Sequence, residues 1–142
     1  MVNAGDLLYT DFVKIDANDS VAAFLGAIKK KGTTFGLIFD GKSYVGFADK
    51  KELLRSRFDA SKTKIKHELK HVPLLSKSTK LADVVRLMAA ADTRALPVRD
   101  NDKIIGIVTA KDVVKELKDF FKTTNIVDVM KLKIIFGYQQ KR

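Results

Sequence analysis

The chain has 142 residues, 46% of them hydrophobic, and a formal net charge of +10. That length and content suit one compact domain or two small repeats sharing a core, and exclude a disordered chain. It has no cysteine, so disulfides and thiolate metal or redox sites are excluded. It also lacks a bilayer-length apolar run and a basic-then-apolar leader, so a cytoplasmic protein without a membrane partner is expected.

In chain order, FVKI (12–15) reads as a short strand. Asp19 or Ser20 supplies the N-cap of a helix whose apolar residues Val21, Phe24, Leu25 and Ile28 fall at i, i+3, i+4, i+7. Lys29, Lys30 and Lys31 end that helix, where cations suit the dipole and need no partner. Then come a strand FGLIF (35–39), a turn DGKS (40–43), a strand YVGFA (44–48) and a second helix starting near Lys50.

Shifting the sequence by 60 residues lays 21–54 over 81–114 without a gap, with five identities. The pattern then recurs: VPLL (72–75), cap candidates Ser78 or Thr79, and a helical face of Leu81, Val84, Val85 and Met88. ALPVR (95–99), the turn DNDK (100–103) and IIGIV (104–108) follow. A helix from near Ala110 is marked by Val113, Val114, Leu117, Phe120 and Phe121. The unit is β-α-β-β-α, twice, in an α/β (α+β) fold. A third start, with VDVM (127–130) falling over LLYT (7–10), predicts a C-terminal helix and strand docking on the body.

The expected organisation is a first repeat with its N-terminal segment (1–60), a basic linker (61–71), a second repeat (72–122) and a basic C-terminal segment (123–142). Eight of the ten excess positive charges lie in 55–71 and 129–142, which reads as a solvated face or as a surface for polyanions.

Two motifs carry potential chemistry. His67-Glu68-Leu69-Lys70-His71 fits the H-E-x-x-H zinc pattern, which needs both histidines on one helix face. Pro73 and the surrounding lysines oppose that reading, so no metal site is expected. Gly106-x-x-Thr109-x-x-Asp112 places a hydroxyl and a carboxylate at a helix start. A carboxylate accepts from two adjacent hydroxyls, and a helix opening at 110 aims N–H groups at an anion. Thr109-x-x-Asp112 is equally a capping box that needs no ligand. No nucleophile–base pair or phosphate-cradling glycine loop is present, so an enzyme is not expected.

The tandem unit, closed by Leu96-Pro97-Val98, the Asp100 turn and Gly106-Ile107-Val108-Thr109-Ala110-Lys111-Asp112, resembles a cystathionine-beta-synthase (CBS) domain pair, or Bateman module. The first repeat, with GFADKKE at 46–52, is a looser match. The resemblance implies two CBS repeats packed as a pseudo-twofold pair and a homodimer. It also implies clefts that take an adenosine compound: AMP, ADP, ATP or S-adenosylmethionine. Thr109 and Asp112 then face the ligand. By position, Leu75, Ser76 and Lys77 offer backbone groups to an adenine, and Leu96, Pro97 and Val98 offer an apolar wall. Arg94 and Lys111 meet phosphates. Sixty residues earlier, Ile15, Asp16, Asp49 and Glu52 mark a weaker or vacant site, because Asp49 puts negative charge where the second repeat has a hydroxyl.

The resulting expectation is a regulatory module with no required cofactor, an adenine nucleotide as regulatory ligand, and an unknown effector protein as partner. The alternative is a nucleic-acid-binding protein that uses the basic linker and tail, with Phe136 and Tyr138 for stacking.

Overall fold

Ser20 starts the first long helix: its side chain accepts a hydrogen bond from the Ala23 N–H at 3.0 Å. The computed structural model describes residues 2–123, with side chains through residue 119. The expected C-terminal segment, its third start, Phe136 and Tyr138, and the side chains of Phe120 and Phe121 lie outside what is described.

Residues 11–72 form one unit. Its elements are β1 (Lys14–Asp16), α1 (Val21–Lys31), β2 (Phe35–Asp40), β3 (Ser43–Asp49) and α2 (Lys50–Leu53). The order across the sheet is β1-β2-β3, with β1 parallel and β3 antiparallel to β2. Helix α1 buries Val21, Phe24 and Ile28 against Ile38, Ala48 and Ile65. Gly32 (φ 76°) ends the helix in the left-handed conformation, and Gly41 (φ 61°) turns the β2–β3 hairpin. Helix α2 is a single turn. Leu53 is buried, but Leu54 is 69% exposed and a polar, charged stretch follows.

The second unit is built from residues 2–10 and 73–123. It contains α3 (Leu81–Ala91), β4 (Ala95–Asp100), β5 (Lys103–Thr109) and α4 (Ala110–Thr123). Asp92 (φ 50°) and Asn101 (φ 57°) take the places of Gly32 and Gly41. Both hairpins carry a register shift at the same point, Ile38/Phe39 and Val98/Arg99. VPLL (72–75) does not form the expected strand: only Leu75 pairs, parallel to Val98. Pro73 has no N–H to give to a ladder. Neither Ser78 nor Thr79 caps α3. Thr79 Oγ1 instead accepts from the Ser76 N–H at 3.0 Å, and Lys80 stands at the cap with no side-chain bond.

The grouping differs from the expected 1–60, 61–71 and 72–122. Each repeat has a short leading segment, and each unit contains the leading segment of the other repeat. Residues 2–10 hold a 3-10 turn (Ala4–Leu7) and pair Asn3 with Lys80 and Tyr9 with Ile107. Residues 64–70 hold a 3-10 turn (Ile65–His67) and pair Lys64 with Ser20 and Lys70 with Phe47. Glycines make room for both. A Cβ on Gly106 would lie 2.8 Å from Leu8, and one on Gly46 would lie 2.8 Å from Leu69. The 61–71 stretch is therefore part of the first unit's structure rather than a bare linker.

Candidate functional site

In the second unit, Thr109 is the last residue of β5 and pairs with Ala95. Its Oγ1 accepts from the Asp112 N–H at 3.2 Å, which fixes the first turn of α4. The Ala110 N–H donates to the Arg94 carbonyl at 2.7 Å. Two of the first N–H groups of α4 are thus satisfied by the chain itself, which reduces the anion site expected there. The carboxylate of Asp112 is half-buried and has no ion-pair or hydrogen-bond partner among the described residues. Lys111, next to it in sequence, and Arg94, whose carbonyl accepts from the Ala110 N–H, are exposed, also without a carboxylate partner among the described residues.

The structure does not bring all the expected residues to this end of the hairpin. Leu75 pairs with Val98, and the chain then runs toward the turn, where Lys77 Nζ meets Asp100 Oδ2 at 3.1 Å. Asp100 lies five residues along β4 from Ala95, so Lys77 is removed from Thr109 by roughly 17 Å of strand. Ser76 is likewise occupied in its own turn, with its hydroxyl 3.1 Å from those of Ser78 and Thr79. Leu96 and Val98 are fully buried and Pro97 is buried, so all three stand in the core of the unit. Thr109, Asp112, Arg94 and Lys111 are what remain together.

The first unit has the same scaffold with different chemistry. Asp49 Oδ1 accepts from the Lys51 N–H at 2.8 Å and caps α2. The Lys50 N–H donates to the Thr34 carbonyl, as Ala110 does to Arg94. Glu52, the counterpart of Asp112, pairs with Lys70 Nζ at 3.6 Å. Lys70 stands on the leading segment where Tyr9 stands in the second unit; both bridge the residue after the glycine shared by the two repeats, Phe47 after Gly46 and Ile107 after Gly106. Ile15 is tied into the sheet opposite Ile38, and Asp16 Oδ1 accepts from the Asn18 N–H at 2.8 Å.

Lys70 and Tyr9 were not among the residues expected to matter. The signal for them is a 61-residue offset between the leading segments, Ala4 and Leu8 against Ile65 and Leu69, one residue longer than the offset of the bodies. The H-E-x-x-H stretch is not a helix. His67 ends a 3-10 turn, Glu68 has φ −127°, and Lys70 is bridged to β3, so the two histidines do not share a helical face. Among the described residues no three His, Asp or Glu side chains come together as a metal site. No described helix is long and apolar enough to cross a membrane.

With this geometry in place, the likenesses to known proteins are specific. The family model of the CBS domain matches residues 65–119. The match begins on the leading segment at Ile65, so the sequence unit is lead plus body while each compact unit pairs a body with the other lead. No curated protein matches the sequence. Among solved structures, the CBS domains of a transcriptional regulator from Streptococcus pneumoniae share 22% identity, with a TM-score of 0.69 over 81% of this chain and 98% of that one. A CBS domain pair/ACT domain protein from Thermotoga maritima shares 16%, with a TM-score of 0.68 over 83% and 98%. The CBS domain of a bacterial CNNM/CorC family Mg2+ transporter, solved in complex with ATP, shares 15%, with a TM-score of 0.72 over 81% and 86%. Residues 65–119 thus match the CBS domain, and the chain has the mixed α+β fold of the CBS-domain structures.

Proposed function

We propose that the chain is a regulatory module that senses an adenosine compound through its second repeat, with one working site per chain. The observation that carries this reading is the contrast at corresponding carboxylates. Asp112 is half-buried and unpaired among the described residues, behind a Thr109 cap, whereas Glu52 is paired with Lys70. An unpaired carboxylate accepts hydrogen bonds from the two adjacent hydroxyls of a ribose, and the exposed cations Arg94 and Lys111 suit phosphates. The ATP complex of the transporter CBS domain supports an adenine nucleotide as the ligand class. Regulation then follows from a ligand that binds one conformation of the module better than another, read out by an effector protein.

The same reading includes a homodimer. Helix α4 buries Val113 and Leu117 but leaves Val114 42% exposed, an apolar position without full cover among the described residues. Calorimetric titration with AMP, ADP, ATP and S-adenosylmethionine tests the ligand. One site per chain for at least one of them is expected, and binding of none removes the reading. Light scattering tests the assembly: a dimer at micromolar concentration is expected, and a monomer refutes it.

A further inference from the structure

The cations of residues 55–66 lie outside the nucleotide reading. This stretch has five Lys/Arg and one acidic residue, Asp59. Arg55, Arg57, Lys62, Lys64 and Lys66 are all exposed, and none has a carboxylate partner among the described residues. Asp59 is turned to its own loop: its Oδ1 accepts from the Ser61 N–H at 3.0 Å and from the Ser61 hydroxyl at 2.6 Å.

The three lysines are not on a loose loop. The Ala60 carbonyl accepts from the Ala22 N–H at 2.9 Å, and the Thr63 carbonyl from the Val21 N–H at 2.8 Å. The Ile65 N–H donates to the Asp19 carbonyl at 2.8 Å, and the Lys66 N–H to the Ala17 carbonyl at 3.1 Å. Ile65 is fully buried and Thr63 half-buried, whereas Lys62, Lys64 and Lys66 are all exposed. The result is a row of cations at two-residue steps on a backbone whose ordering cost is met by folding, not by binding.

We propose that this row is a docking surface for the phosphate backbone of a nucleic acid, bound without regard to sequence. Closely spaced exposed cations without carboxylate partners suit a polyanion, and each lysine that neutralises a phosphate releases condensed counterions. A lipid surface fits less well. Peripheral membrane binding needs apolar side chains that enter the bilayer, and the one apolar side chain between the lysines, Ile65, is fully buried.

The test uses the full chain and a fluorescent oligothymidylate of about 20 nucleotides, titrated by anisotropy between about 25 and 200 mM salt. Binding that weakens steeply with salt is expected. The triple change Lys62→Gln, Lys64→Gln, Lys66→Gln should reduce the log–log salt slope by roughly 2, at about 0.7 per phosphate contact, and weaken binding at about 50 mM salt at least tenfold. A matched triple at Lys29, Lys30 and Lys42, in the same unit, should change affinity by less than about twofold. The triple change Lys62→Arg, Lys64→Arg, Lys66→Arg, the arginine triple, should retain binding. If the glutamine triple loses its circular dichroism, Lys64→Gln alone replaces it, with a slope change of about 0.7. Equal weakening by the two glutamine triples shows net charge alone and overturns the proposal. So does loss of binding in a folded arginine triple, no oligonucleotide binding at the lowest salt, or binding only to phosphatidylserine vesicles.

Discussion

The two units share their folding signals and differ in their chemistry. At corresponding points each has a left-handed helix cap (Gly32, Asp92), a positive-φ hairpin turn (Gly41, Asn101) and a shifted strand register. Each also has a leucine of a leading segment over a strand glycine. The side chains at the helix openings diverge: Asp49, Glu52 and Lys70 in the first unit, Thr109, Asp112 and Tyr9 in the second. Backbone geometry tolerates few residue types at such points, whereas a half-exposed side chain beside a helix start is free to change. The cores also diverge, but in a compensated way. The Phe24 ring covers Gly36 so closely that a Cβ there would lie 2.9 Å from it, and the second unit has Val84 and Leu96 at those two places.

The compensated pair offers the largest test of this comparison. Phe24→Ala should cost about 3–5 kcal/mol, because a fully buried ring is removed. Gly36→Leu alone should cost about 1–3 kcal/mol by driving a side chain into the ring. Phe24→Val with Gly36→Leu transplants the second unit's pair with the same number of side-chain heavy atoms, so the double variant should lose clearly less than the sum of the two single costs. Urea midpoints decide it; costs that simply add would show that the two positions do not compensate.

The carboxylate contrast comes next. Asp112→Ala should weaken binding of the best nucleotide by roughly ten- to a hundredfold, or about 1.5–3 kcal/mol. Glu52→Ala should leave calorimetric affinity and stoichiometry unchanged. Equal losses from both variants would mean that both repeats bind, and that the Lys70–Glu52 pair does not set them apart.

The glycines under the leading segments sharpen the comparison further. At Gly106 an added Cβ meets the Tyr9 backbone oxygen at 3.0 Å as well as the Leu8 side chain, while at Gly46 every near atom belongs to the Leu69 side chain. Gly106→Ala should therefore cost about 2–3 kcal/mol and Gly46→Ala about 1 kcal/mol, because backbone yields less than a side-chain end. Thermal melts showing the reverse order would refute this.

A pH difference between the units is also expected. Burial pushes the Tyr44 hydroxyl up to about 12 from 10.0. A raised folded-state value means that its stabilising contribution is intact below pH 10 and is lost as pH rises from about 10 toward 12. The corresponding residue in the second unit is Ile104. Tyr44→Phe should flatten alkaline melting in that window, and an unchanged profile would exclude Tyr44 as the cause. The smallest effects are at the caps. Ser20→Ala should lose about 1 kcal/mol, whereas Lys80→Ala removes no cap bond and should lose less than about 0.5 kcal/mol. Equal losses would count against the Ser20 bond.

Much of this molecule is local and was legible from residue order. The helix faces Val21/Phe24/Ile28 and Val84/Val85/Met88 follow from 3.6-residue periodicity, and both hairpins follow from turn residues that accept positive φ. The start of α4 follows from Thr109 capping Asp112. The candidate site was legible only in part, since the same two residues read as a cap and as a ligand pair, and spacing does not reveal what else reaches a carboxylate. Sequence periodicity also does not distinguish a wall from a core, and Leu96 and Val98 are fully buried.

What the residue order determined by itself is the repeated β-α-β-β-α pattern, because each element rests on contacts within a few residues. What only the tertiary structure decided is the exchange of leading segments, with Tyr9 on Ile107 and Lys70 on Phe47. Those bridges join residues far apart in the chain, and their place at one sheet edge rather than another depends on a glycine gap and a matching leucine that come together only in the folded unit. The pairing of Lys70 with Glu52, and with it the inequality of the two repeats, is a consequence of that exchange.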